Sequence, residues 1–216
     1  MPRPTLDNCL AEMPLIAILR GLPATDAVPV VQTLFDAGFR VAEVPLNRPG
    51  ALDSIANLSS EFGKKMMIGA GTVLTKEDVA NVASAGGNII ISPNFDADVA
   101  REAKDRGLYY CPGIQTPTEG FAALKHGADA LKLFPAEAIA PKVVQAMRAV
   151  LPTDVTLVPV GSVGPHNMPD YWASGATGFG LGLNLYQPGK AIEDIRQDAS
   201  AFADLMRSIM ARGANV

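Results

Sequence analysis

Eight short apolar runs of strand length, each followed by a segment of helical character, constrain this chain more than any other feature. They are PLIAILR at 14–20, VAEVPL at 41–46, MMIGAG at 66–71, NIIIS at 88–92, LYYCPG at 108–113, ALKLF at 130–134, TLVPV at 156–160 and GFGLG at 178–182. Continuous rather than alternating apolarity marks strands buried on both faces, as in parallel sheets covered by helices. The intervening segments carry helix-start chemistry at Thr25-Asp26, at Thr75 to Asp78 and at Thr116 to Glu119, where hydroxyls and acids can satisfy the first free backbone N–H groups. Gly38, Gly86, Gly107, Gly127 and Gly175 stand shortly before the next strand, where a left-handed residue closes a helix. This alternation predicts an α/β fold, a single-domain (β/α)8 TIM barrel over 1–216. A short additional helix is expected at 4–12 and a long closing one at 190–212.

Composition narrows the partners. With 48% apolar and 19% charged residues the chain is of the globular class, not the disordered or fibrous ones. Eighteen basic and 22 acidic side chains give a net charge of −4, without long runs of one sign. The electrostatic footprint of a nucleic-acid binder is missing, so a small-molecule partner is expected and nucleic acid is not. Cys9 and Cys111 follow neither metal-ligand spacing nor a disulfide framework, so no metal and no cofactor is expected. No apolar run approaches the roughly 18 residues of a membrane span, and the first residues lack a basic stretch followed by an apolar one. No membrane partner and a cytoplasmic location are the expectation.

Side chains alternate along a strand, which sorts the polar residues. In ALKLF, Leu131 and Leu133 are assigned to the helices, while Ala130, Lys132 and Phe134 are assigned to the interior. In VAEVPL, Ala42, Val44 and Leu46 point out and Glu43 points in. The second and sixth strands of a barrel face each other, so Glu43 and Lys132 are expected to meet inside it. On the first strand Ile16 and Ile18 point in with Arg20 next in phase, and on the third Ile68 and Ala70 are assigned inward, followed by Thr72. Active sites of this architecture lie at the carboxyl ends of the strands. Arg20, Glu43, Thr72, Pro93, Lys132 and the glycines after the last two strands are therefore expected to converge.

Their chemistry reads together. An amine among apolar side chains loses solvation of its charged form, which leaves a larger neutral fraction to attack a ketone. A carboxylate within reach suits the proton transfers that follow. Gly161-Ser162 and Gly180-Leu181-Gly182 end the last two strands, where barrels often hold phosphate on backbone N–H groups. Each residue has a plainer reading as well. Lys132 and Glu43 would serve as a buried ion pair, Arg20 as a rim cation, Thr72 as a cap for the helix near Thr75, and the glycines as tight turns. An isomerase using Glu43 for proton transfer, or a non-catalytic sugar-phosphate-binding barrel, stays open on these residues alone. His126, before Gly127, reads as a helix-end cap, and Met66, Met67, Met206, Met210 and Cys111 read as core.

With Glu43 in AEVPLN, Thr72 in GAGTVL, Pro93 in ISPN and Lys132 in ALKLFP, the sequence closely resembles the KDPG/KDPGal aldolases, which are class I enzymes, nearly end to end. The stretches PLIAILRG, EVPLNRPG and CPGIQTPTEGFAALKHGADALKLFPAE, with the closing LNLYQPG, look most like the galactonate branch. Asn47 standing one residue past Leu46, where the gluconate branch usually carries Arg, favours the same branch. The resemblance implies a Schiff base on Lys132, acid–base catalysis by Glu43, and the substrate carboxylate end held by Arg20 and Thr72. Pro93 and Phe134 are carried over as substrate-binding residues, and phosphate would lie near Gly161, Ser162, Gly182 and Leu183. It further implies cleavage of a keto-deoxy sugar acid to pyruvate and an aldehyde, without a metal, in a homotrimer. Ser162, Gly164 and Leu183 depart from the family pattern, where Gly, Thr and Ser are usual. Fewer hydroxyl donors remain for a phosphate, and the gluconate acid of the sister branch or an unphosphorylated 2-keto-3-deoxy acid is the alternative substrate.

Overall fold

A computed structural model describes residues 4–213; the three residues at each end of the expected 1–216 domain lie outside the described residues. Parallel strands alternate with helices along the whole of it. Strands β1 (Leu15–Ile18), β2 (Val41–Pro45), β3 (Met67–Gly71), β4 (Ile89–Ile91), β5 (Tyr109–Cys111) and β9 (Phe179–Leu181) form one sheet in the order β5-β4-β3-β2-β1-β9. Strands β6 (Gly113–Ile114), β7 (Ala130–Leu133) and β8 (Thr156–Pro159) form a second.

The expected eight strands are thus nine segments in two sheets. The fifth apolar run is divided at Pro112, which has no N–H to give to a ladder. Its carbonyl still accepts from Lys132 N–H at 2.9 Å, and Asp129 N–H donates to Tyr110 O at 2.9 Å. At the other seam a single parallel bridge joins Val160 to Gly180.

Helices α2 (Ala24–Ala37), α3 (Ala51–Phe62), α4 (Lys76–Ser84), α5 (Ala97–Asp105), α6 (Pro117–Lys125), α7 (Pro141–Arg148), α8 (Met168–Ala173) and α9 (Ile192–Gly213) follow the strands. The capping signals at Thr75 and Thr116 both become reciprocal boxes, with Asp78 and Glu119 returning a bond to the cap N–H. Thr25 does not cap: α2 starts earlier, from Pro23, and the Thr25 hydroxyl donates to Asp26 instead. All five helix-ending glycines have positive φ, Gly38 at 113° for example. No described helix is long and apolar enough to cross a membrane.

Two buried layers explain the placement of the site. Leu15, Ala17, Ala42, Val44, Leu131 and Leu133 pack outward against the helices, while Ile16, Ile18, Val41, Ala130, Val158 and Val160 form a separate cluster within the curl of the strands. Helix α1 (Leu6–Glu12) adds Leu6, Cys9 and Leu10 to the inner cluster, so its apolar face is buried against the strands. Truncating such a residue to Ala costs about 2–5 kcal/mol.

Strand β3 runs opposite to the sequence assignment. Ile68 and Ala70 lie in the outer layer, and Met67 lies in the inner one with Gly69 and Gly71 in phase. The interior leaves no alternative: a Cβ on Gly69 would strike the Ile89 carbonyl, and one on Gly71 would overlap the Glu43 carboxylate.

Candidate active site

Strand alternation turns Glu43 of β2 and Lys132 of β7 toward the same small void, lined also by Ile16, Ile18, Ile91, Cys111, Val158, Val160 and Gly180. The void measures about 10 Å³, near the size of one water. Glu43 is 2% exposed and Lys132 is 7% exposed. No ion pair joins the two among the described residues, and Oε2 of Glu43 has no hydrogen-bond partner. The plain reading as a structural salt bridge does not describe this pair.

Burial governs both groups. It pushes the Glu43 carboxyl up to about 7, against the opposing pull of Lys132 and then Arg20. It drives the Lys132 amine below its usual range, partly offset by Glu43 and Cys111, with Arg20 pushing the same way as burial. The Lys132 ammonium position lies 4.6 Å from the centroid of the Phe134 ring. Beside them, burial raises the Cys111 thiol to about 12, which leaves it a neutral filler. An acid poised near neutrality opposite an amine with a reduced proton affinity is the pairing that proton-coupled attack on a carbonyl needs.

Above the void, and sharing Ile18, Val160 and Gly180 with it, opens a cleft of about 430 Å³ at the carboxyl ends of the strands. Arg20, Phe134, Gly161, Ser162, Gly182 and Leu183 line it. Thr72 and Pro93 follow β3 and β4 at the same end but line neither the cleft nor the void. Thr72 and Ser162 are the two non-glycine residues with positive φ among the described ones, at 55° and 46°. Such backbone costs of order 1–3 kcal/mol each and gathers at functional sites.

Sequence reasoning missed Glu137, Val163, Asn184 and Tyr186, which also line the cleft. Glu137 belongs to a short 3₁₀ turn, Ala136–Ala138, just after β7. It is out of phase with any strand, and the signal for it was an acid three residues past Phe134. The Ser162 hydroxyl donates to Glu137 Oε1 at 2.6 Å. His126 accepts its expected place at the end of α6, with Nδ1 2.8 Å from Ala122 O.

A family model described as KDPG and KHG aldolase matches residues 6–197. The 2-dehydro-3-deoxy-6-phosphogalactonate aldolase of Escherichia coli (strain K12) is 43% identical over 196 residues, covering 91% of this chain and 96% of that protein. A solved structure described as native KDPGal is 42% identical with a TM-score of 0.90, covering 93% of this chain and 97% of the other. The KDPG aldolase of Legionella pneumophila, solved with pyruvate captured as a covalent carbinolamine intermediate, is 27% identical with a TM-score of 0.79, covering 94% and 96%. The matched span includes β2, β7 and the rim residues, and the chain belongs to the KDPG and KHG aldolase family.

Proposed function

We propose that this protein is a class I aldolase that cleaves 2-dehydro-3-deoxy-6-phosphogalactonate to pyruvate and glyceraldehyde 3-phosphate. The observation that carries this reading is the buried Lys132 amine sharing the small void below the cleft with Glu43, whose Oε2 has no hydrogen-bond partner. The name of the Escherichia coli relative supports the substrate, and the pyruvate adduct in the Legionella pneumophila relative supports the covalent step.

The Lys132 amine attacks the C2 ketone, and the carbinolamine loses water to give a protonated Schiff base. Glu43 in its carboxylate form takes the C4 hydroxyl proton as the C3–C4 bond breaks. Its electron pair moves to the iminium, leaving the enamine of pyruvate and a free aldehyde. Glu43 then returns the proton to C3, and hydrolysis releases pyruvate and the amine. A carboxyl with a pKa of about 7 holds and gives up a proton with similar ease at neutral pH. Arg20 is the one cation among the cleft-lining residues and acts electrostatically on both Glu43 and Lys132, which suits it to the substrate carboxylate. Phe134 supplies apolar wall, Gly161, Ser162, Gly182 and Leu183 border the distal end, and Thr72 and Pro93, which line neither the cleft nor the void, are assigned to the substrate by the family resemblance alone.

The same reading extends to architecture. The hydrogen bonds linking β5 and Pro112 to β7, with the Val160–Gly180 bridge, support a closed (β/α)8 barrel forming one domain. Family membership supports a homotrimer in the cytoplasm, which sedimentation and fractionation test. The decisive test of the chemistry is borohydride reduction with pyruvate, followed by peptide mass analysis. A reduced pyruvyl adduct on the Lys132 peptide is the expected result; an unmodified Lys132 peptide defeats the mechanism and leaves an isomerase or a binding barrel in its place.

A further inference from the structure

The turn that ends β8 holds a backbone conformation that one of its residues disfavours. Gly161 and Ser162 have φ of 113° and 46°, and a serine in the left-handed region carries a steric penalty that a glycine escapes. Ser162 is also exposed, so burial of its side chain does little to hold it there.

Side chains from three separate elements hold it instead. The Ser162 hydroxyl donates to Glu137 Oε1 at 2.6 Å. Glu137 belongs to the 3₁₀ turn after β7, which is fixed in turn by the Tyr171 hydroxyl, 2.9 Å from the carbonyl oxygens of both Ala136 and Ile139. Asn167, just before α8, donates from Nδ2 to Ser162 O at 3.0 Å and accepts from Gly164 N–H at 2.9 Å. Asn184, in the turn after β9, donates to Val163 O at 3.1 Å, which ties the two distal turns together. The missing side chain of Gly161 lets Glu137 come close, since a Cβ there would collide with Oε2. The backbone N–H groups of Ser162, Gly182 and Leu183 have no hydrogen-bond partner among the described residues, and all three residues line the cleft. Backbone donors fixed before a ligand arrives hold an anion without the ordering penalty of a loose turn.

We propose that Glu137 is a positioning residue: its bond from the Ser162 hydroxyl braces the turn after β8 so that the free backbone donors of this end receive the anionic tail of the substrate. Ser162, where the family usually carries Gly, supplies a brace and a backbone N–H rather than a hydroxyl contact. The proposal rests on the aldolase reading with a phosphorylated substrate. The role requires an acceptor at position 137 and not a charge, and an amide oxygen accepts the same hydrogen.

Three variants and a double variant test it. Glu137→Ala is expected to raise KM for the 6-phosphorylated acid by about five- to tenfold, the worth of one hydrogen bond, with a much smaller change in kcat and in kcat/KM for the unphosphorylated acid. Glu137→Gln should stay within about twofold of the wild type. Ser162→Ala removes the same bond from the other side and should match Glu137→Ala, and the double variant should lose no more than either alone. Inhibition by inorganic phosphate of cleavage of the unphosphorylated acid should weaken in the same order. Equal losses on both acids, a Glu137→Gln variant as impaired as Glu137→Ala, or single losses that multiply in the double variant each overturn the brace. Absence of a borohydride-trapped pyruvate adduct in the wild type would defeat the aldolase reading and the proposal with it.

Discussion

The small void that serves as a floor below the cleft and the rim of the cleft itself follow different rules. On that floor, Glu43 and Lys132 are almost wholly buried, project from strands, and are fixed by the two-residue period of β2 and β7. At the rim, Glu137, Ser162 and Leu183 are exposed and stand on turns. A strand in a packed core has few ways to vary without loss, whereas a turn in solvent exchanges residues at little cost to the fold. The chemistry is therefore built into the scaffold, and the choice of substrate tail is built onto it.

The sharpest way to break this contrast is to remove the floor's amine. Lys132→Ala is expected to lower kcat/KM by on the order of 10⁴ or more, as loss of a covalent nucleophile does, and to abolish the trapped pyruvate adduct. Residual turnover within a hundredfold of the wild type would place the nucleophile elsewhere.

Glu43→Gln comes next, with a loss of about 10²–10⁴ in kcat from the missing proton relay. This variant also tests the cost of burial. The folded-state carboxyl titrates near 7 against an ordinary 4.5, so the folded protein binds more protons than the unfolded chain between those values. That contribution to stability is complete below about pH 4.5 and is lost as the pH rises through 7, a difference of about 3 kcal/mol. Glutamine has nothing to ionise. Its Tm should match the wild type's near pH 4.5 and exceed it at pH 8 by up to roughly 10 °C. A constant Tm difference across that range would mean that burial does not hold the carboxyl up.

A smaller effect, about 10²-fold in kcat, is expected from Gly71→Ala. The added methyl meets the Glu43 carboxylate itself, and small displacements of a catalytic group carry penalties of that order. Thermal melting separates this from unfolding: a folded but slow variant confirms a positional effect, and full activity shows that the carboxylate has room to move.

What was legible in the sequence divides along the same line. The alternation of strands with helices, the capping boxes at Thr75 and Thr116, and the inward phase of Glu43 and Lys132 were readable, because each depends on local spacing. The phase of β3 was not. Both faces of that strand are buried, so the apolarity of Ile68 and Ala70 is compatible with either side, and the informative residues were Gly69 and Gly71, whose missing side chains make room for Ile89 and Glu43. Glu137 escaped for another reason. Its position depends on how the turn after β7 folds against the end of β8, a contact that spans 25 residues between Glu137 and Ser162. No period in the chain encodes it.

The mildest test concerns Leu183, a large apolar side chain that is 68% exposed at the rim. Replacing it by Ser removes little buried area, so stability should change by no more than about 0.5 kcal/mol. The new hydroxyl stands at the cleft's distal border beside Gly182, where it offers a phosphate a donor that the Ser162 hydroxyl, held by Glu137, does not. A neutral hydrogen bond is worth about 1 kcal/mol, which sets the expected gain in kcat/KM for the phosphorylated acid at about three- to tenfold, with the unphosphorylated acid nearly unaffected. An equal gain on both acids would show that Leu183 limits access to the cleft rather than the recognition of its far end. A gain confined to the phosphorylated acid, and smaller in a Glu137→Ala background than in the wild type, would place both residues on one subsite, because neighbours that share a ligand group are the ones whose effects fail to add.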